Sequence, residues 1–162
     1  MCPDNPRASL VVGVDEFGRA ETDPAAAARA AGLLEVAVHG AEHFAPGEIA
    51  LARLYRASAL LLSGGEPGRV RNNLSKVDGK LLDRVRQRLL GRAWARLAEA
   101  QPAAGEAQGA VDSATLALRI LADEASRKAQ ASYLAFAGTQ LVGTGVLDGA
   151  VNALKDSLAL DD

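Results

Sequence analysis

A single cysteine in 162 residues, Cys2, excludes an intrachain disulfide and any zinc site built from cysteines. Aromatic residues are nearly as scarce: Phe17, Phe44, Tyr55, Trp94, Tyr133 and Phe136 are all there are. Without aromatic and β-branched side chains in quantity, a large sheet has little to build its faces from. Long apolar runs are missing as well. None approaches the ~18 residues that a membrane-crossing helix requires. The N-terminal MCPDNPR lacks the basic-then-apolar layout of an export signal. The expectation is a cytoplasmic protein in a reducing compartment, with no membrane partner.

What the chain has instead is alanine and leucine, the strongest helix formers, inside an apolar share of 49%. A length of 162 residues suits one ordinary domain with a real core. The predicted fold is therefore mainly α: a single-domain helical bundle of four or five helices over residues 1–162. Residues 1–8 are expected to be flexible and 101–110 to form an internal loop or linker. A short N-terminal β element at 9–14 (SLVVGV) is the best strand candidate, with LLEVAV (33–38) as a candidate partner strand.

Helix start and stop signals set the rest. Asp23 and Pro24 before an alanine run predict a helix from 24 to about 38, which is preferred over a strand at 33–38. From Pro46, apolar positions at Leu51, Leu54, Tyr55, Ser58, Leu61 and Leu62 recur every three or four residues, and SGGEPG (63–68) ends that helix. Residues 79–100 predict a helix about 33 Å long at ~1.5 Å per residue. Asp112 and Ser113 are placed to cap a long helix to about 137. The glycines at 138, 143, 145 and 149 interrupt the next stretch, and AVNALKDSLAL (150–160) predicts a final short helix. GTQLVGTG (138–145) lacks the Lys-Ser/Thr of a phosphate-binding loop, and no serine has a nucleophile-elbow setting.

A net charge of −2 conceals a segregation. Residues 69–96 carry nine basic side chains against Asp78 and Asp83, a local sum of +7, and the remainder sums to −9. Within the expected 79–100 helix, Lys80, Arg84, Arg88, Arg92 and Arg96 recur at every fourth position, which traces a slanted stripe. Leu82, Val85, Leu89, Leu90, Ala93 and Leu97 fall largely on the other side. The loop expected before it adds Arg69, Arg71 and Lys76. Planar guanidinium groups meet phosphate oxygens bidentately, so these eight residues are the candidate polyanion-binding set. Nothing beside them resembles a base-reading motif. The competing reading is a solvated face, or one that pairs with an acidic protein surface.

Both histidines of the chain fall within HGAEH (39–43), with Glu42 between them. On a helix, His39 and His43 would share one face, close enough to hold zinc, with Glu42 beside them as a general base. The five letters resemble the H-x-x-E-H signature of the inverzincin metalloproteases. That family implies a third ligand, a downstream glutamate, for which Glu124 is the only counterpart, and the resemblance ends with those five residues. Gly40 inside the motif and Pro46 and Gly47 just after it favour a helix end or turn, where a histidine interacts with the helix dipole and needs no metal.

The function expected from these features is non-enzymatic. The chain is read as a binding or assembly subunit of a larger complex that contacts nucleic acid or another polyanion through segment 69–96, without a cofactor. Two alternatives stand beside it: a metal-dependent, zinc-using hydrolase at HGAEH, and a structural homo-oligomer held by alanine- and glycine-rich helices.

Overall fold

The computed structural model describes residues 5–121, 127–144 and 147–161. Every regular element among them is helical: α1 (Pro6–Arg19), α2 (Pro24–His39), α3 (Pro46–Leu62), α4 (Pro67–Leu74), α5 (Arg84–Ala100), α6 (Ala107–Leu121), α7 (Arg127–Thr144) and α8 (Leu147–Asp161), with 3₁₀ turns at Ala41–His43, Gly79–Leu81 and Pro102–Ala104. The mainly α expectation holds, in eight shorter helices rather than four or five. The backbone forms two compact units, Met1–Gln87 and Arg88–Asp162, the division falling inside α5.

The strand candidate at 9–14 is helical, and helix begins at Pro6, within the stretch expected to be flexible. Local start chemistry outweighs the β-branched run: the Asn5 side chain accepts from the Arg7 and Ala8 amides at 3.0 and 3.2 Å, and Pro6 fills the first helical position. Packing completes the reversal. The buried face of α1 carries small residues, Ser9 and Gly13, and a Cβ on Gly13 would stand 2.8 Å from Leu34 Cγ of α2. Residues 33–38 accordingly belong to α2. Farther along the antiparallel pair, Arg29 bonds Glu16 at 2.9 Å and Asp23, the α2 cap, at 2.9 Å.

Within this first unit α3 is buried nearly all round, with Ala52, Leu54, Ala57 and Ala59 at 0% exposure. It packs on both α2 and α4, so its deepest positions are Leu54 and the alanines, while Leu51, Tyr55, Leu61 and Leu62 of the expected stripe are half-buried. Phe17 and Tyr55 meet edge to face, ring centroids 5.2 Å apart.

In the second unit consecutive helices run antiparallel. Gly91 lies against Leu121 and Ile120, and Ala98 against Ala114, where α5 meets α6; Ala107 and Leu141 pair α6 with α7; Ala131 and Ser157 pair α7 with α8. Its core is lined with alanines, and the larger side chain of Leu141 is fully buried. Asp112 and Ser113, expected as caps, lie inside α6. Ser113 Oγ instead donates to Gln101 Oε1 at 2.6 Å, and Gln101 Nε2 donates to Glu106 at 3.0 Å, which ties the short loop at 101–106 to α6. The expected single helix to 137 is α6 and α7, with 122–126 outside the described residues, and α7 runs through Gly138 and Gly143 without interruption. Gly138 is the close approach of α7 to α8: a Cβ there would stand 2.7 Å from Leu154 Cγ.

Candidate polyanion-binding face

The helix expected at 79–100 starts five residues late. Asp78 accepts from the Lys80 amide at 3.0 Å to start the 3₁₀ turn; Leu82 is extended and buried; Asp83 then caps α5, accepting from the Arg86 amide at 2.9 Å. Gln87 Nε2 donates to the carbonyls of Gly79 and Leu82 at 3.1 and 3.0 Å, which fixes the break. Two aspartates, each able to serve as an N-cap, thus divide one expected helix into a turn and a helix. Lys80 is in the turn, off the ladder, and Lys76 lies just beyond the end of α4.

Arg84, Arg88, Arg92 and Arg96 do share α5, and all four are exposed. They span about 18 Å of helix. The opposite side, Leu90, Ala93, Trp94, Leu97 and Ala98, is buried. Val85, expected on that side, is 70% exposed. Arg92 and Arg96 make no side-chain hydrogen bond or ion pair with the described residues. Arg86, off the stripe, is held by Asp83, and that bond together with the Tyr55 hydroxyl raises its pKa above the usual arginine value. Exposed Glu99 places one carboxylate at the stripe's C-terminal end.

The stretch around 69–74, expected as a loop, is helix α4, started by Pro67. Arg69 and Arg71 are exposed on it, and Arg69 leans on Glu35 of α2 at 3.3 Å. That contact points to a feature the charge pattern did not reveal. Arg56 of α3, buried, donates to the same Glu35 oxygen at 2.6 Å, so two guanidinium groups converge on one carboxylate. The only available signal was a lone arginine within the otherwise apolar run RASALLL.

HGAEH is a helix end rather than a helix. His39 is the last residue of α2, and its Nδ1–H donates to the Glu35 carbonyl at 2.8 Å. Gly40 caps the helix, and His43 closes the 3₁₀ turn with Nε2 3.5 Å from exposed Glu42. The turn receives the start of α1: Pro6 packs over Gly40, and the Arg7 guanidinium donates to the His43 carbonyl at 3.1 Å. Among the described residues no three His, Cys, Asp or Glu side chains gather to hold a metal ion, and Glu124 lies outside those residues. Among the same residues no helix is long and apolar enough to cross a membrane.

The sequence matches none of the protein-family models and none of the curated proteins with which it was compared.

Proposed function

We propose that this protein is a non-enzymatic, cytoplasmic binding or assembly subunit that contacts nucleic acid through the arginine stripe of α5. The observation that carries this reading is the state of Arg92 and Arg96: exposed, one turn apart, and without a partner among the described residues, on a helix whose other face is buried. A rigid helix presents such groups with little loss of backbone freedom on binding. Guanidinium groups about 6 Å apart along the axis suit successive phosphates of one strand. The exposed cations Arg69 and Arg71 of α4, Lys76 just beyond it and Lys80 of the 3₁₀ turn extend the positive character of the segment. Contacts of this kind bind the backbone and do not read sequence.

The test is fluorescence anisotropy with a labelled oligonucleotide across a salt series. The Arg92→Gln, Arg96→Gln double variant is expected to bind at least tenfold more weakly, with a salt slope shallower by about 2, while its thermal unfolding matches the parent. Equal binding by parent and variant refutes the proposal.

A further inference from the structure

The apolar residues of α8 are distributed the wrong way round for a helix that serves only its own unit. Its inward face is Ala150, Ala153 and Ser157, all buried, with Ser157 Oγ donating to the Ala131 carbonyl of α7 at 2.7 Å. Three of its five larger apolar side chains point elsewhere, with Leu160 half-buried: Leu147 is 62% exposed, Val151 47% and Leu158 68%. Leu154, half-buried over Gly138, lies between the two faces. Scattered exposed leucines are ordinary on a protein surface. These are not scattered. Leu147, Val151, Leu154 and Leu158 follow one another at intervals of four, three and four, the heptad spacing of a two-helix seam, and fall within an arc of about 60°.

The charges beside the stripe say what kind of helix fits it. Asp148 and Lys155 are exposed, seven residues apart, and occupy the same flanking position of successive heptads. The other flank is Ala150 and Ser157, uncharged and turned toward α7. In a parallel pair each charged flank would face that uncharged one. In an antiparallel pair like flanks face each other, so Asp148 of one helix meets Lys155 of the other, and the two-fold axis makes the pair twice. About the same axis, between Val151 and Leu154, Leu147 layers on Leu158 of the second copy and Val151 on Leu154 of the second copy. The stripe is therefore complementary, in both apolar layers and charge, to itself reversed.

We infer that α8 is a self-association surface through which two copies of this chain pair antiparallel. The seam is four layers and about 17 Å long, which gives a weak dimer that forms with rising concentration. This inference is independent of the polyanion reading, since none of its residues belongs to the arginine stripe.

Sedimentation of the full chain over a concentration series tests it. The parent is expected to move from the 16.7 kDa monomer toward twice that mass. The Val151→Asn, Leu158→Asn variant, altered only at exposed positions, is expected to stay monomeric with an unchanged far-ultraviolet spectrum. Asp148→Lys and Lys155→Asp, each alone, place like charges opposite one another and are expected to weaken self-association about tenfold. Mixed in equal amounts they should associate as well as the parent, because the mixed pair restores both ion pairs. A parent that remains monomeric, a dimer that the exposed-position variant leaves intact, or single swaps whose mixture gains nothing each overturns the inference. So does a monomer that the same stripe instead carries onto anionic lipid vesicles in a co-sedimentation assay.

Discussion

Arg56 Nη2 donates to Glu35 Oε1 across 2.6 Å, from a side chain 10% exposed to a carboxylate 38% exposed. The two ends of this bond are not equivalent. Burial pulls the Arg56 pKa below the usual arginine value and the neighbouring Arg69 charge adds to that, while the Glu35 charge and hydrogen bond oppose both. The Arg56 Nε is buried and has no hydrogen-bond partner. Burial of this cation thus opposes folding, and Glu35 is what makes it tolerable.

The asymmetry yields the first prediction. Glu35→Gln leaves a buried guanidinium without its anion and is expected to cost about 1–3 kcal/mol, toward the low side of buried pairs because solvent reaches Glu35. Arg56→Met keeps the volume and leaves Glu35 with Arg69 and water, so its cost is expected to stay below about 1 kcal/mol. Urea unfolding of the two variants checks the order. A costlier Arg56→Met would show that the ion pair contributes net stability.

The second prediction concerns acid. Asp83 accepts the Arg86 amide and side chain at the start of α5, and its pKa is held below the ordinary aspartate value of 3.8, first by the backbone bond and then by the Arg86 guanidinium. A carboxyl group whose folded pKa is depressed stabilises the fold above its unfolded pKa and loses that effect as pH falls through the folded value. Asp83→Ala should therefore lower the melting temperature at pH 7, and the gap from the parent should close as pH falls below about 4. Asp83→Asn, which keeps a capping oxygen without the charge, should show a smaller loss at pH 7 that narrows by the same amount as the pH falls, because both variants lack the titrating carboxyl. Melting curves at pH 7, 4 and 3 distinguish them. A gap for Asp83→Ala that does not narrow at all between pH 7 and pH 3 would assign the effect to something other than the carboxylate.

The helices at 24–39 and 46–62 were legible because Pro and Asp mark their starts and small or turn residues their ends. The break at Leu82 and Asp83 was not, because a period-four run of cations continued across it. The amphipathic period masked two aspartate caps that decide the backbone. The SLVVGV run misled in the opposite way: β-branched residues suggested a strand, yet the small residues among them, Ser9 and Gly13, set the close approach to α2. In the basic segment the stripe at Arg84, Arg88, Arg92 and Arg96 was readable from spacing alone. The attachment of Arg69 to Glu35 depends on a residue 34 positions away and leaves no trace in local pattern.

The same distinction between letters and geometry governs the third prediction, on HGAEH. The glycine of that motif is where α1 rests: a Cβ on Gly40 would stand 2.3 Å from Pro6 Cγ and 2.6 Å from its Cβ, so Gly40→Ala forces the start of α1 away from the turn. The expected cost is about 1–3 kcal/mol, the range for overpacking a close contact. In a Pro6→Gly background the obstruction is gone, and the same substitution should cost much less. The His39→Ala, His43→Ala double variant removes two exposed side chains and a bond from His39 to the Glu35 carbonyl, and should cost under about 1 kcal/mol. Urea unfolding with and without added zinc ranks the three. If the histidine variant is the most damaged, and zinc stabilises the parent but not that variant, HGAEH is a metal site. If Gly40→Ala is the most damaged and zinc changes nothing, the motif is the seat of the first helix.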